Sequence, residues 1–140
     1  MKRKGQGDSE MSPIKFEILG KLPSANYLLR MHWTKRRKMI EGWAWAVKAG
    51  LQKAGCNYVG NTSYFKTKLQ IDVVIFVANR SSIKDGANLI TPLDKLVVDN
   101  LVNQRILVDD CGEFLEWGKV EQKIGRPERI EITLNEKEET

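Results

Sequence analysis

The longest β-rich stretch of the sequence is residues 65–78, which read Phe65-Lys66-Thr67-Lys68-Leu69-Gln70-Ile71-Asp72-Val73-Val74-Ile75-Phe76-Val77-Ala78. Apolar residues recur in it at every second position, namely Leu69, Ile71, Val73, Ile75 and Val77. Successive side chains of a strand point to opposite faces, so this pattern predicts a long strand with one face in the core. The strand leads into a polar loop, residues 79–85, at the sheet edge, where functional groups are often placed.

Further strands and two helices are predicted around this stretch. Period-two alternation predicts strands over residues 14–19, roughly 114–123 and 129–134. Turn residues 23–26 and a basic loop, residues 29–33, lead to a helix that is capped by Thr34 and runs to about Lys53, with Gly55 just past its end. A second helix is predicted from Pro92 to about Asn103, with Thr91 as cap and Asp94 as its capping-box partner. Its apolar face, which should pack on the sheet, is Leu93, Leu96, Val97 and Leu101.

These elements predict a single α+β domain, a mixed β-sheet with two main helices packed on it. Residues 13–135 are assigned to this domain, residues 1–12 to a disordered polar tail and residues 136–140 to an acidic tail. The sequence has no apolar run of membrane-spanning length and no signal-peptide pattern, so we expect a soluble, cytoplasmic protein without a membrane partner. Cys56 and Cys111 lie far apart, which indicates neither a zinc site nor a disulfide framework.

The charge pattern points to a polyanionic partner. Lys and Arg number 23 against 18 Asp and Glu, a formal net charge of +5. Such an excess favours nucleic acid, although ordinary solvation is the alternative explanation. The candidate DNA-backbone contacts are Arg30, Lys35, Arg36, Arg37 and Lys38, together with Arg80 and Lys84 beside the polar loop.

Carboxylates are concentrated between Asp85 and Asp110. Clustered carboxylates repel each other unless a hard cation lies between them, and Mg²⁺ binds one or two carboxylates together with water and phosphate oxygens. With the basic flank, this segment suggests a metal-dependent nuclease.

The same residues resemble a known family. Asp85-x-x-Asn88, Lys95, Asp99-Asn100-Leu101 and Asp109-Asp110 together resemble the signature of RusA-type Holliday-junction resolvases. The segment from Leu22 to Tyr27 is similar to that family's amino-terminal Pro-Ser-x-Asn turn. The resemblance covers roughly residues 14–135 and implies a RusA-like fold.

It also implies a homodimer that nicks opposing strands of branched DNA, the four-way junction, with Mg²⁺ or Mn²⁺ and no small-molecule cofactor. By this resemblance Asp85 and Asp110 are catalytic metal ligands. Lys95, one turn into the second helix, would hold the scissile phosphate or stabilise its transition-state charge. Three further residues would contact the metal ligands rather than the metal itself, namely Asn88, Asp99 and Asp109.

One position departs from the family pattern. The pattern is Asp-x-Asp-Asn, and this chain has Ala87 where the second aspartate belongs. The loss removes one of three metal carboxylates and predicts impaired cleavage; a natural divergent member and a deliberately inactivated variant would both carry it. The alternative function is a branched-DNA-binding protein without nuclease activity. A sequence-specific regulator is disfavoured because no helix-turn-helix pairing is apparent.

Simpler structural roles compete with these assignments. Asp85-Gly86 is also a common turn, and Lys95 with Asp99 is also an ordinary i, i+4 helix pair. Two tryptophans on the first helix, Trp43 and Trp45, are expected in core or dimer packing rather than in base stacking.

Overall fold

The computed structural model of the chain describes residues 13–57, 62–84, 86–109 and 111–137. Its regular elements are β1 (Ile14–Leu19), α1 (Ala25–Arg30), α2 (Trp33–Lys53), β2 (Leu69–Val77), α3 (Ala87–Leu93), α4 (Asp99–Asn103), β3 (Leu115–Ile124) and β4 (Arg129–Glu136). A π-helical segment, Asp94–Val98, joins α3 to α4 without a break, and we call the three together the composite helix. A short 3₁₀ turn, Arg80–Ser82, follows β2. The predicted tail of residues 1–12 lies outside the described residues.

The described strands form one mixed sheet in the order β1-β4-β2-β3. β4 is antiparallel to both of its neighbours, whereas β2 and β3 are parallel. A parallel pair needs a long crossover, which the composite helix provides. The predicted fold class, an α+β domain with a mixed sheet, is confirmed. β4 continues to Glu136, and the amide of Lys137 donates to Lys68 O at 2.8 Å, so the sheet extends past residue 135.

The core lies between the sheet and the two long helices. The predicted inward face of β2 is buried at all five positions, and so is the predicted apolar face of the second helix. α2 approaches β1 closely at Gly50, where an added Cβ would lie 2.8 Å from the backbone oxygen of Glu17. α2 ends at Lys53, as predicted, and just past it the positive φ of 93° at Gly55 lets Cys56 N donate back to Leu51 O.

The predicted start of the second helix is wrong. The composite helix begins at Ala87, so Pro92 lies inside it, and Thr91 and Asp94 are interior residues rather than a capping box. Pro92 has no N–H to donate within the helix, and the next segment bonds with π spacing, in which Asp99 N donates to Asp94 O. Burial of the apolar face against the sheet outweighs the cost of an internal proline.

The segment before α2 also differs from the prediction. Instead of a turn and a basic loop, residues 25–30 form α1, because the Ser24 hydroxyl accepts from Tyr27 N at 3.1 Å and caps its first turn. α2 begins two residues earlier than predicted, at Trp33, and its cap is His32 rather than Thr34, with Nδ1 of His32 accepting from Thr34 N. Within the described ranges, the helices all fall short of the combined length and apolarity that crossing a bilayer requires.

Candidate nucleic-acid interface and acidic loop

An open groove of about 560 Å³ lies between α1, the middle of α2 and the loop that follows β2. We call it the Lys84 groove. Its polar and aromatic lining consists of Lys21, Ser24, Tyr27, Trp43, Ser81, Ser82 and Lys84. The groove therefore joins the Pro23-Ser24 turn to the loop that leads to the acidic motif, two pieces of the family pattern that lie far apart in sequence.

The loop wall of the groove is held to the sheet by one side chain of β3. The Gln122 amide accepts from Lys84 N at 2.8 Å and donates to Lys84 O at 2.6 Å. Earlier in the loop, the hydroxyls of Ser81 and Ser82 both donate to Asn79 Oδ1, at 2.5 and 3.2 Å. These bonds fix the backbone of the residue that immediately precedes Asp85.

The groove has a positive electrostatic character. Burial lowers the pKa of Lys84, the positive charge of Lys21 lowers it further, and the carboxylate of Glu128 partly opposes both effects. The Lys84 ammonium donates to Ser82 O at 3.4 Å, a long bond that offsets little of this cost. An anion bound beside Lys84 would offset the positive charge of Lys21 and stabilise the charged form of Lys84.

The predicted metal ligands Asp85 and Asp110 lie outside the described residues. Their described neighbours attach to different parts of β3: Lys84 bonds to Gln122, whereas Cys111 O accepts from Leu115 N at 2.9 Å. Leu115 and Gln122 are seven positions apart, roughly 20 Å of strand. The described parts of the chain hold no group of three His, Cys, Asp or Glu side chains arranged for a metal ion.

The remaining predicted site residues are spread along the composite helix. Lys95 is exposed and lies eight positions after Ala87, about 12 Å along the axis, which is more than the predicted one turn. Asn88 and Asp99 are half-buried, and Asp109 is exposed. Asn100 is buried, and its amide nitrogen donates to Leu96 O at 2.7 Å and to Ile40 O at 3.4 Å, so it ties the composite helix to α2.

The predicted basic cluster divides into two kinds of residue. Four members, Arg30, Lys35, Arg37 and Lys38, are exposed, and so is Arg80 beside the groove. Arg36 is half-buried, and its Nη2 donates to Leu29 O at 3.2 Å and to Met31 O at 3.1 Å, which ties α2 to the end of α1. Lys35 lies one turn before Met39, a residue of the groove lining, so the cluster continues the positive charge of the groove.

Several groove residues were not predicted from the sequence. Lys21 and Tyr27 flank the Pro-Ser turn, and their only sequence signal is that proximity. Gln122 has no sequence signal, because its partner Lys84 is 38 residues away.

No family model matches the chain, and no curated protein matches it significantly. The RusA-type resemblance therefore rests on the motif residues alone.

Proposed function

We propose that this protein acts on branched DNA as a homodimer of the RusA type, and that the activity of its family is metal-dependent paired nicking of four-way junctions. The observation that supports this best is the Lys84 groove, where the Pro-Ser turn and the loop of the acidic motif lie side by side under positive charge. A phosphodiester backbone in this groove would lie next to the loop that leads to Asp85, one of the two expected metal ligands, whereas Cys111, which follows the other ligand Asp110, bonds to the opposite part of β3.

Under this proposal, residues of the groove and its surroundings take roles in DNA binding. Lys84 and Lys21 neutralise phosphate charge, and the exposed Lys35 extends that charge along α2. Each phosphate that the protein neutralises releases counterions from the DNA, so binding should weaken steeply as salt increases. Tyr27 and Trp43 offer apolar surface for the sugar and base edges between phosphates.

Mg²⁺ or Mn²⁺ is the cofactor that the resemblance implies. The described residues do not supply a complete ligand set, and Ala87 lacks the carboxylate that the family pattern has there. We therefore assign no cleavage step to the chain as it stands and propose that it cuts poorly.

A second candidate is a junction-binding protein that does not cut. Two observations favour it: Ala87 itself, and the attachment of Lys84 and Cys111 to opposite parts of β3. Both candidates share the positive groove, and they differ only in whether restoring the carboxylate restores cleavage.

The deciding experiment is the substitution Ala87→Asp, with Ala87→Asn as the matched control of similar size and no charge. With Mg²⁺ and a labelled four-way junction, we expect symmetric paired nicks from Ala87→Asp and few or none from the original chain and from Ala87→Asn. Binding is measured in parallel without Mg²⁺, on the junction and on linear duplex of the same sequence.

The outcomes separate the candidates. Preferential junction binding without cleavage by Ala87→Asp would establish the binding protein instead of the nuclease. Equal affinity for linear duplex and junction, with no cleavage, would refute the RusA-type proposal altogether. For the compartment, we propose the cytoplasm, where the free thiols of Cys56 and Cys111 would stay reduced.

A further inference from the structure

The outer face of α2, opposite the sheet, carries an exposed tryptophan. Trp45 is 72% exposed, so the predicted core packing is wrong for it and its packing in a dimer stays a prediction, whereas Trp43 packs against the core. On a helix with 3.6 residues per turn, these two side chains point about 160° apart around the axis, less than a full half-turn. The orientation of α2 that packs the Trp43 side chain against the core therefore exposes the Trp45 side chain to water.

Two of the nearest helix neighbours of Trp45 are small, and the other two are Glu41 and Lys48. One turn before it lies Gly42 and one turn after it lies Ala49, and both are exposed. The Lys48 ammonium lies 5.8 Å from the Trp45 ring centroid. At the start of the helix, Trp33 is 60% exposed, and the Arg37 guanidinium lies 4.8 Å from its ring. The helix thus presents two aromatic rings, each beside a cation.

The charge of this surface decides which partner fits it. The exposed charged residues of α2 are one carboxylate, Glu41, and five cations: Lys35, Arg37, Lys38, Lys48 and Lys53. A symmetric contact between two copies would place these cations against each other, which is unfavourable. A lipid surface would require a broad apolar stripe, but the positions around Trp45 hold glycine, alanine and charged side chains. A polyanion with flat, accessible rings would fit both the exposed cations and the exposed aromatic rings of this surface.

We propose that the outer face of α2 binds unpaired nucleotides, with the Trp45 indole stacked on a base and Lys48 and Lys38 against the flanking phosphates. The choice of DNA as the polyanion rests on the proposed function. The site itself is separate from the Lys84 groove, because it lies on the opposite side of α2. Unpaired nucleotides occur where duplex arms meet or open, so this face would add contacts at the branch point.

Fluorescence titration with a short oligothymidylate tests the proposal. We expect quenching of tryptophan emission in the original chain and about tenfold weaker binding by Trp45→Ala, since stacking on an aromatic side chain is a major source of single-strand affinity. Trp45→Phe should retain most of the affinity. The matched control is Leu19→Ala, which removes a side chain of 68% exposure from β1 and should leave binding unchanged.

Other results would overturn the proposal. Junction binding without oligothymidylate binding would refute this site and leave the proposed function intact. A shift from dimer to monomer in sedimentation of Trp45→Ala would assign the face to a second copy. Quenching by phosphatidylserine vesicles but not by oligothymidylate would assign it to membranes. Conversely, Trp45-dependent oligothymidylate binding without junction preference would support this site while the proposed function fails.

Discussion

Replacing Gln122 by methionine should loosen the loop that carries the acidic motif. Methionine has a similar length and no hydrogen-bonding amide, so Gln122→Met removes both bonds to the Lys84 backbone, of 2.8 and 2.6 Å. A typical bond contributes about 0.5–1.5 kcal/mol net, so the pair contributes about 1–3 kcal/mol. Because the loop lies at the surface, water can replace part of the two lost hydrogen bonds, and we expect a loss of about 1 kcal/mol in the free energy of unfolding.

Denaturant unfolding measures the global change, and hydrogen exchange of the Lys84 amide measures the local one. Gln122→Glu keeps the acceptor for Lys84 N but sets a carboxylate oxygen against Lys84 O, so the ionised variant should lose at least as much stability as Gln122→Met. Gln52→Met makes the same chemical change at an exposed position of α2 and should alter stability by less than about 0.5 kcal/mol. Unchanged exchange at Lys84, or equal losses for Gln122→Met and Gln52→Met, would refute the role of Gln122 in holding the loop.

Two further substitutions test the sheet and the groove. Gly118→Ala should destabilise the fold by about 1–3 kcal/mol in denaturant unfolding, because its Cβ would collide with the Asp72 carboxylate that accepts from Lys119 N. Gly42→Ala, with no atom near the added Cβ, should instead stabilise by about 0.5–1 kcal/mol, and equal effects of the two changes would contradict the packing argument. Lys21→Gln should raise the pKa of Lys84, measured by NMR titration, whereas Lys15→Gln should not. The lowered pKa of Lys84 disfavours folding at pH values below it, where the side chain is charged. The stability advantage of Lys21→Gln should therefore shrink as pH rises through the lowered pKa of Lys84. An advantage independent of pH would exclude repulsion between the two lysines.

The sequence predicted those elements whose pattern is local. The alternating residues of β2, the spacing along α2 and the glycine after it each depend on neighbours within a few positions, and the structure confirms them. The composite helix was only half predicted. Thr91 and Pro92 match a helix start locally, but burial of residues on both sides of them against the core continues the helix through the proline.

The candidate site was less predictable because its geometry depends on residues distant in sequence. The bonds of Gln122 to Lys84 and of Asn100 to Ile40 cross 38 and 60 positions, and nothing local marks either residue. The same is true of Asp72, which fills a bulge in β3 by accepting from Lys119 N and from the amide of Asn135. The basic residues around Lys38 are exposed except for the half-buried Arg36, an arrangement that fits both a DNA interface and ordinary solvation, so their role stays a prediction.

If the proposed function is right, the distribution of charge between the two layers of the molecule favours the helical layer as the side that would bind DNA. On the sheet, opposite charges are paired: Glu116 lies 3.6 Å from Lys68 and 3.1 Å from Lys137, and its pKa is lowered by the hydrogen bond and charge of Lys137.

Arg129 likewise lies 3.4 Å from Glu131 and 3.6 Å from Glu17. The opposite charges of such pairs largely cancel in the electric field that an approaching polyanion meets. By contrast, α2 carries five exposed cations and one exposed carboxylate. Met39 and Trp43 of α2 border the Lys84 groove, and Trp45 lies on the other side of the same helix. A branched DNA that bound both surfaces would therefore have to pass across α2, with its duplex part in the groove and its unpaired part on the outer face.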